Sequence, residues 1–270
     1  MDRKLTLIFE DHFDDEVLND KVWTVIDRRD SPNKESQYYR KDNYYLKDSK
    51  LVLVAKKEDY EGKNYTSCLV NTRDKYTFKY GRIEICAKLP KGRGTWPALW
   101  FVGHPEEKEK KWWPMCGEID LMEHVGYNPN FINCWFHTGT CNHRLNTQRG
   151  GRLYVKDVFD KFHVYALEWT KDFIDIYVDD IRIYSLQRKD SDTYGEWPFD
   201  HPYSLLMNIA IGGQWGGSRG IDDSIFPVTM EIDYVRYYKM ENEEKFLDLD
   251  ANREYLWFLF LKVSKWLRNF

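Results

Sequence analysis

The sequence predicts an all-β sandwich. Many short runs rich in β-branched and aromatic residues are separated by turn signals, the pattern of sheets packed face to face. Aromatic residues make up 17%, with 11 Trp and 19 Tyr, a content that suits wide rings packed between sheets. The chain has 270 residues, 42% of them hydrophobic, enough for one large domain with a proper core. No internal repeat, low-complexity tract, or Rossmann or P-loop glycine pattern is present.

The predicted elements follow in order. Leu5-Thr6-Leu7-Ile8-Phe9 reads as an opening strand. The stretch from Asn33 to Tyr39 is polar and then aromatic. Tyr44 to Leu46 and Leu51 to Ala55 flank Lys47-Asp48-Ser49-Lys50, a hairpin signal. Residues 66–73 and 76–89 continue the β pattern, and alternation puts Leu69, Asn71 and Arg73 on one face. Trp96-Pro97-Ala98-Leu99-Trp100 sets two indoles four residues apart, on one side of a regular strand. The charge run at 106–111 reads as a solvated loop, after which Trp113-Pro114 re-enters the fold. In residues 131–137, Asn133, Trp135 and His137 share a face. Residues 162–170, 173–178 and 181–186 form a meander with Asp179-Asp180 as one turn. Residues 203–211 lead into the glycine-rich Gly212-Gly213-Gln214-Trp215-Gly216-Gly217, and 228–238 close the β pattern.

Gly117-Glu118-Ile119-Asp120-Leu121-Met122-Glu123-His124-Val125-Gly126 carries the most chemistry. Its apolar residues favour a half-buried strand. Glu118 and Asp120 then share one face, whereas Glu123, five positions from Glu118, points away. One extra residue near Leu121 or Met122, a β-bulge, would return Glu123 to the others. Two carboxyls about 5–5.5 Å apart are what a retaining glycosidase uses, one as nucleophile and one as acid and then base. The competing readings fit less well. A merely solvated edge strand has no need of Ile, Leu and Met between its charges. A metal cage needs oxygen ligands from a loop that wraps the ion.

Other classes are disfavoured. The net charge is −4 with no basic stripe, which argues against nucleic acid. Five cysteines is an odd number, so at least one is free or pairs between chains; Cys68 and Cys86 read as buried small hydrophobes, and Cys116 has no activating neighbour. Cys134-x2-His137-x3-Cys141-x-His143 is similar to a zinc cluster, but an odd step sends Cys134 and His137 to opposite faces of a strand; zinc and a Cys134–Cys141 disulfide are both disfavoured. Gly216-Gly217-Ser218-Arg219-Gly220 fits the nucleophile elbow of serine hydrolases, yet no histidine follows it and the chain continues as loop and strand. Residues 1–4 lead directly into the opening strand, without the apolar region of a secretory signal.

The acidic stretch resembles the active-site signature of family-16 glycoside hydrolases, in the form with an inserted Met that marks the laminarinase-like branch. The resemblance runs from about Phe9 to Tyr238 and also takes in Asn33-Lys34-Glu35-Ser36-Gln37-Tyr38-Tyr39, Phe78-Lys79-Tyr80-Gly81-Arg82, Gly94-Thr95-Trp96-Pro97-Ala98-Leu99-Trp100, Ala166-Leu167-Glu168-Trp169 and Ile232-Asp233-Tyr234-Val235-Arg236. It implies a concanavalin A-like jelly roll with a cleft across its concave sheet. It implies Glu118 as nucleophile, Glu123 as acid/base and Asp120 as the carboxyl that tunes Glu118. Asn33, Trp96, Trp113, Trp135, His137, Asn208 and Trp215 are expected on the cleft, with Trp100 and Arg73 as further candidates. An ordinary turn asparagine and a surface arginine are the competing readings of Asn33 and Arg73. Relatives often carry Arg where this chain has Leu69, a departure on the minus-subsite side. Asp233, with main-chain oxygens near Glu10 and Ser49, matches the place of a structural calcium in many relatives; no other cofactor is expected.

The implied reaction is endo-hydrolysis of β-1,3-glucan, extending to mixed-linkage β-1,3/1,4-glucan. The alternatives are an agar- or carrageenan-type hydrolase or transglycosylase on the same scaffold, and a non-catalytic glucan-binding lectin. A polymeric substrate implies a secreted, periplasmic or cell-surface protein. Residues 1–240 are read as the catalytic domain. Residues 241–270 are read as a charged linker and an amphipathic helix, too short in its apolar run to span a membrane and suited to docking or self-association.

Overall fold

The computed structural model describes residues 4–105, 108–110 and 112–241. The expected helix in 241–270 lies outside the described residues, apart from Glu241, which ends a strand. Residues 6–239 form one compact unit. In the second unit the described residues are Lys4, Leu5, Met240 and Glu241, where Lys4 Nζ lies 3.0 Å from Glu241 Oε2. Among the described residues no helix is long and apolar enough to cross a membrane.

The strands form two sheets. The seven-stranded sheet runs in the order Arg149–Tyr154, Phe131–His137, Glu118–Glu123, Thr95–Gly103, Tyr203–Ile211, Leu69–Asn71, Thr24–Val25. The ten-stranded sheet runs Ile181–Gln187, Phe173–Val178, His163–Trp169, Gly81–Lys88, Val228–Glu241, Leu51–Tyr60, Lys63–Ser67, Gln37–Tyr39. Lys4–Asp11 adds to Val228–Glu241, and Tyr44–Leu46 to Leu51–Tyr60. This is the expected all-β sandwich. Its core interleaves both sheets: Leu99, Phe101, Ile119, Leu121 and Phe136 from one and Leu53, Ile83, Ile85, Leu167 and Ile176 from the other are all fully or almost fully buried. Packing two apolar faces together removes that surface from water, at about 25 cal/mol per Å².

The turn chemistry sits where the sequence puts it. Leu46 pairs with Leu51 across the 47–50 hairpin, whose Asp48 and Ser49 are left-handed (φ 51° and 54°). Asp179 and Asp180 (φ 48° and 64°) close the 173–187 hairpin, a conformation Asp tolerates well. The 66–73 stretch is the exception. It is not one strand but the end of Lys63–Ser67, in one sheet, and Leu69–Asn71, in the other, with fully buried Cys68 at the crossing. Arg73 therefore lies beyond the strand end and is exposed, rather than sharing a pleated face with Leu69 and Asn71.

Candidate active site

Glu118–Glu123 is the third strand of the seven-stranded sheet, between Phe131–His137 and Thr95–Gly103. Its register slips by one residue on both sides. Asp120 pairs with Trp100 while Met122 pairs with Leu99, and Asp120 pairs with Trp135 while Glu123 pairs with Asn133. This is the anticipated bulge. Ile119, Leu121 and Met122 are all fully buried in the core. Two consecutive residues thus turn inward, and Glu118, Asp120 and Glu123 emerge together on the other face. Gly117 enters this strand at φ 76°, and a Cβ there would lie 2.1 Å from the Tyr203 hydroxyl. Only glycine meets both conditions.

The three carboxylates line a cleft of about 360 Å³ with Asn33, Trp96, Trp135, His137, His143, Gln148, Gln214 and Trp215. Trp96 Nε1 donates to Glu123 Oε1 (2.8 Å) and Trp113 Nε1 donates to Glu118 Oε2 (3.1 Å). His137 Nε2 lies 3.2 Å from Asp120 Oδ2 and 3.7 Å from Glu118 Oε1. Trp96 and Trp215 meet edge to face at 5.5 Å. On the other side Trp113 packs on the His143 ring at 4.9 Å, with the Arg144 guanidinium 4.5 Å from its centroid. The main-chain N–H of Gln214 donates to the Asn33 carbonyl (2.9 Å), which ties the glycine-rich loop to the left-handed Asn33 (φ 59°).

Burial raises all three carboxyls. Glu118 stands well above the usual range, first because it is desolvated and next because of the neighbouring Asp120 charge, with His137 and Trp113 opposing. Desolvation pushes Asp120 to about 8. Glu123 is also pushed to about 8, by desolvation and then by Asp120, with the Trp96 hydrogen bond opposing. The carboxyls act as one coupled group holding fewer charges than members near neutrality. A proton on Asp120 removes the charge that most disfavours ionised Glu118, after desolvation itself.

The predicted cleft residues divide into three sets. Asn33, Trp96, Trp135, His137 and Trp215 line the cleft with the carboxylates, and Trp113 touches Glu118 directly. Trp100 and Asn208 bind each other instead: the indole N–H donates to Asn208 Oδ1 (2.8 Å), and Asn208 donates to the Tyr39 hydroxyl (3.1 Å). Tyr39 in turn donates to Glu35 Oε2 (3.4 Å), a carboxyl raised by burial. Arg73 is not among the residues lining the cleft. His143, Gln148 and Gln214 line it without having been singled out as sugar contacts.

The cysteine readings also resolve. All five thiols are free. Cys134 is buried in the core while His137 faces the cleft, so the zinc spacing does not converge. Among the described residues the group of acidic and histidine side chains close enough to hold a metal ion is Glu118, Asp120 and His137, the catalytic candidates themselves. Of the calcium candidates, the Glu10 carboxylate is taken by His12 (3.0 Å) and Arg236 (3.5 Å). Asp233 sits at a register break between Ile232 and Tyr234, one residue past the Ile232–Leu51 pair and so beside the turn that carries Ser49.

The sequence profile of glycosyl hydrolases family 16 matches residues 31–236. The chain belongs to that family. It is thus a glycoside hydrolase of the β-sandwich, jelly-roll type. It is 43% identical over 243 residues to a β-glucanase of Rhodothermus marinus, an alignment spanning 86% of this chain and 85% of that protein. The X-ray structure of the laminarinase from Rhodothermus marinus matches with a TM-score of 0.85 at 40% identity, covering 89% of this chain and 99% of that one. A single-residue variant of SCLam, described as a non-specific endo-β-1,3(4)-glucanase and co-crystallised with 1,3-β-D-cellotriosyl-glucose, matches at 0.81 and 35% identity, covering 87% and 95%. In this family-16 chain the bulged acidic strand, its two indole donors and the cleft are all present.

Proposed function

We propose that the protein is a retaining endo-β-1,3-glucanase that also accepts mixed-linkage β-1,3/1,4-glucan. The observation that carries the reading is the bulge that sets Glu118, Asp120 and Glu123 on one face of an aromatic-lined cleft. Glu118 attacks the anomeric carbon and forms a glycosyl-enzyme, while Glu123 gives its proton to the departing glycosidic oxygen. Glu123 then takes a proton from water, which attacks the same carbon and releases Glu118. Trp113 Nε1–H and His137 hold the attacking carboxylate in place and favour its anionic form. Asp120, held near its protonated form by burial, keeps negative charge away from Glu118. Two broad indoles, Trp96 and Trp215, suit stacking on sugar C–H faces.

The test is reducing-sugar release on laminarin, lichenan, agarose and carrageenan, with the anomer of the first product followed by NMR. Release from laminarin and lichenan with β-anomer formed first is expected. Release from agarose or carrageenan alone would move the assignment to another polymer. Binding without release on all four would mean a lectin, and α-anomer formed first would remove the nucleophile. Oligosaccharides longer than the substrate would show sugar intercepting the glycosyl-enzyme.

We also propose a structural calcium held by the Asp233 carboxylate with main-chain oxygens near Glu10 and Ser49. Hard oxygen donors suit it, and the strand pairing skips Asp233 between Ile232 and Tyr234. Calcium should raise Tm and a chelator lower it, with Asp233→Ala abolishing both shifts. A Tm indifferent to calcium and chelator would end this proposal.

A further inference from the structure

Two buried polar atoms in the cleft have no partner in the protein. His137 is 6% exposed, and its Nε2 faces Asp120 and Glu118. Its Nδ1 has no hydrogen-bond partner, and neither does Gln148 Oε1. A polar group left unpaired in the interior is destabilising, because the water it gave up on burial is not replaced. Such groups are rare enough that each asks for a reason, and a ligand is one.

Both residues belong to one end of the cleft. The ladder between Phe131–His137 and Arg149–Tyr154 pairs Phe136 with Arg149 at its end. One further step of the antiparallel register sets Gln148 across from His137 on the cleft face. Trp135, next on that face, pairs with Gly150. A Cβ at Gly150 would lie 2.0 Å from the Cys134 carbonyl and 2.7 Å from the Trp135 ring, so glycine is what lets the indole lie across this strand. The His143 ring closes the same end, 5.2 Å from His137. Trp96 lies on Thr95–Gly103, the strand on the opposite flank of Glu118–Glu123, and Trp215 packs on Trp96. The acidic strand therefore separates two ends of the cleft.

The chemistry of the orphaned pair is specific. The amide oxygen of Gln148 is an acceptor only, while His137 Nδ1 accepts when the ring proton is on Nε2 and donates when it is on Nδ1. A group that both donates and accepts, on a ring with an apolar face beside an indole, satisfies the pair, and a pyranose with free hydroxyls supplies it.

We propose that Gln148 Oε1 and His137 Nδ1 form a sugar subsite at the His143 end of the cleft, Gln148 accepting a hydrogen bond from a hydroxyl of one β-linked glucosyl unit and His137 exchanging one with a neighbouring hydroxyl of the same unit. Gln148 is then a specificity-determining residue, selecting an unsubstituted hydroxyl at that position. This rests on the glucanase reading above.

The probe is end-labelled β-1,3-linked glucohexaose. Gln148→Leu, close in size but without the acceptor, should lower kcat/KM about tenfold, the worth of one good hydrogen bond, mainly through KM. It should also redistribute cleavage among the internal bonds, because loss of one subsite changes the binding register. Gln148→Glu keeps an acceptor and should restore most of the wild-type pattern. Wild-type efficiency in Gln148→Leu, or all bonds slowed equally with KM unchanged, would overturn the subsite. In a Glu118→Gln background, which binds without turnover, Gln148→Leu should weaken hexaose binding about tenfold by calorimetry, and an unchanged Kd would overturn it. A wild-type protein that binds the hexaose but does not cleave it would defeat the glucanase reading, while the calorimetric comparison would still decide the subsite.

Discussion

Glu118→Ala should lower turnover of laminarin by ~10⁴-fold or more, the scale on which loss of a nucleophile is felt. The loss should be partly reversed by azide when the substrate is an aryl β-glucoside of a β-1,3-linked glucan oligosaccharide. Alanine leaves space on the face of the sugar that Glu118 occupied. Azide enters there, its nitrogen bonds to the anomeric carbon, and the aryl oxide departs with the bonding pair. The product is the α-glycosyl azide. Glu123→Ala should behave oppositely. Glu118 still forms the glycosyl-enzyme from an aryl glycoside that leaves without a proton, and azide then attacks from the other face to give the β-azide. The pair of products assigns both carboxyls, and a β-azide from Glu118→Ala would reverse the roles. Asp120→Asn should retain measurable activity, because Asp120 acts through Glu118 and does not touch the reacting carbon.

The acidic strand was readable because two periodicities collided in six residues. Glu118 and Asp120 obey the two-residue alternation, and Glu123 breaks it unless one residue is added. The register slip beside Leu121 is that added residue. Alternation set Asn133, Trp135 and His137 on one face and Trp96 with Trp100 on one side of its strand, while the family resemblance is what assigned His137 and Trp96 to the cleft. Gln148 was not readable, because its neighbour Arg149–Tyr154 contains two glycines and two arginines and lacks the look of a strand until it pairs with Phe131–His137. Arg73 was misplaced because the strand ends at Asn71 and the chain turns there, with the main-chain N–H groups of Lys75 and Tyr76 both bonding the Thr72 carbonyl; the change of sheet at buried Cys68 likewise carries no mark in the periodicity. Trp100 and Asn208 lie near the cleft, but the mutual indole–amide hydrogen bond that joins them comes from two strands 108 residues apart in sequence. Pairings of that kind follow from topology, which local pattern does not encode.

Activity should fall as pH rises through about 8, and the same group should make the fold progressively less stable as pH rises from about 4.3 to about 8. Glu123 must be protonated to assist departure of the glycosidic oxygen, and burial with the Asp120 charge pushes it to about 8. Above that pH, kcat/KM should drop about tenfold per unit. The stability sign follows from linkage. The folded-state value lies above the usual carboxyl value of about 4.3, so the folded protein holds this proton more tightly than the unfolded chain. The resulting stabilisation is fully present below about pH 4.3 and is lost as pH rises through about 8. Glu123→Gln keeps the shape and the Trp96 contact but never ionises. Its Tm should equal or fall slightly below that of the wild type at pH 5 and exceed it at pH 8.5. The gain should be several degrees, at ~2–4 °C per kcal/mol for a chain of this size. Thermal melts of both proteins from pH 5 to 9 check the sign. A Tm difference that stays constant with pH would mean that Glu123 is not held protonated, and the basic limb of the activity profile would then need another owner.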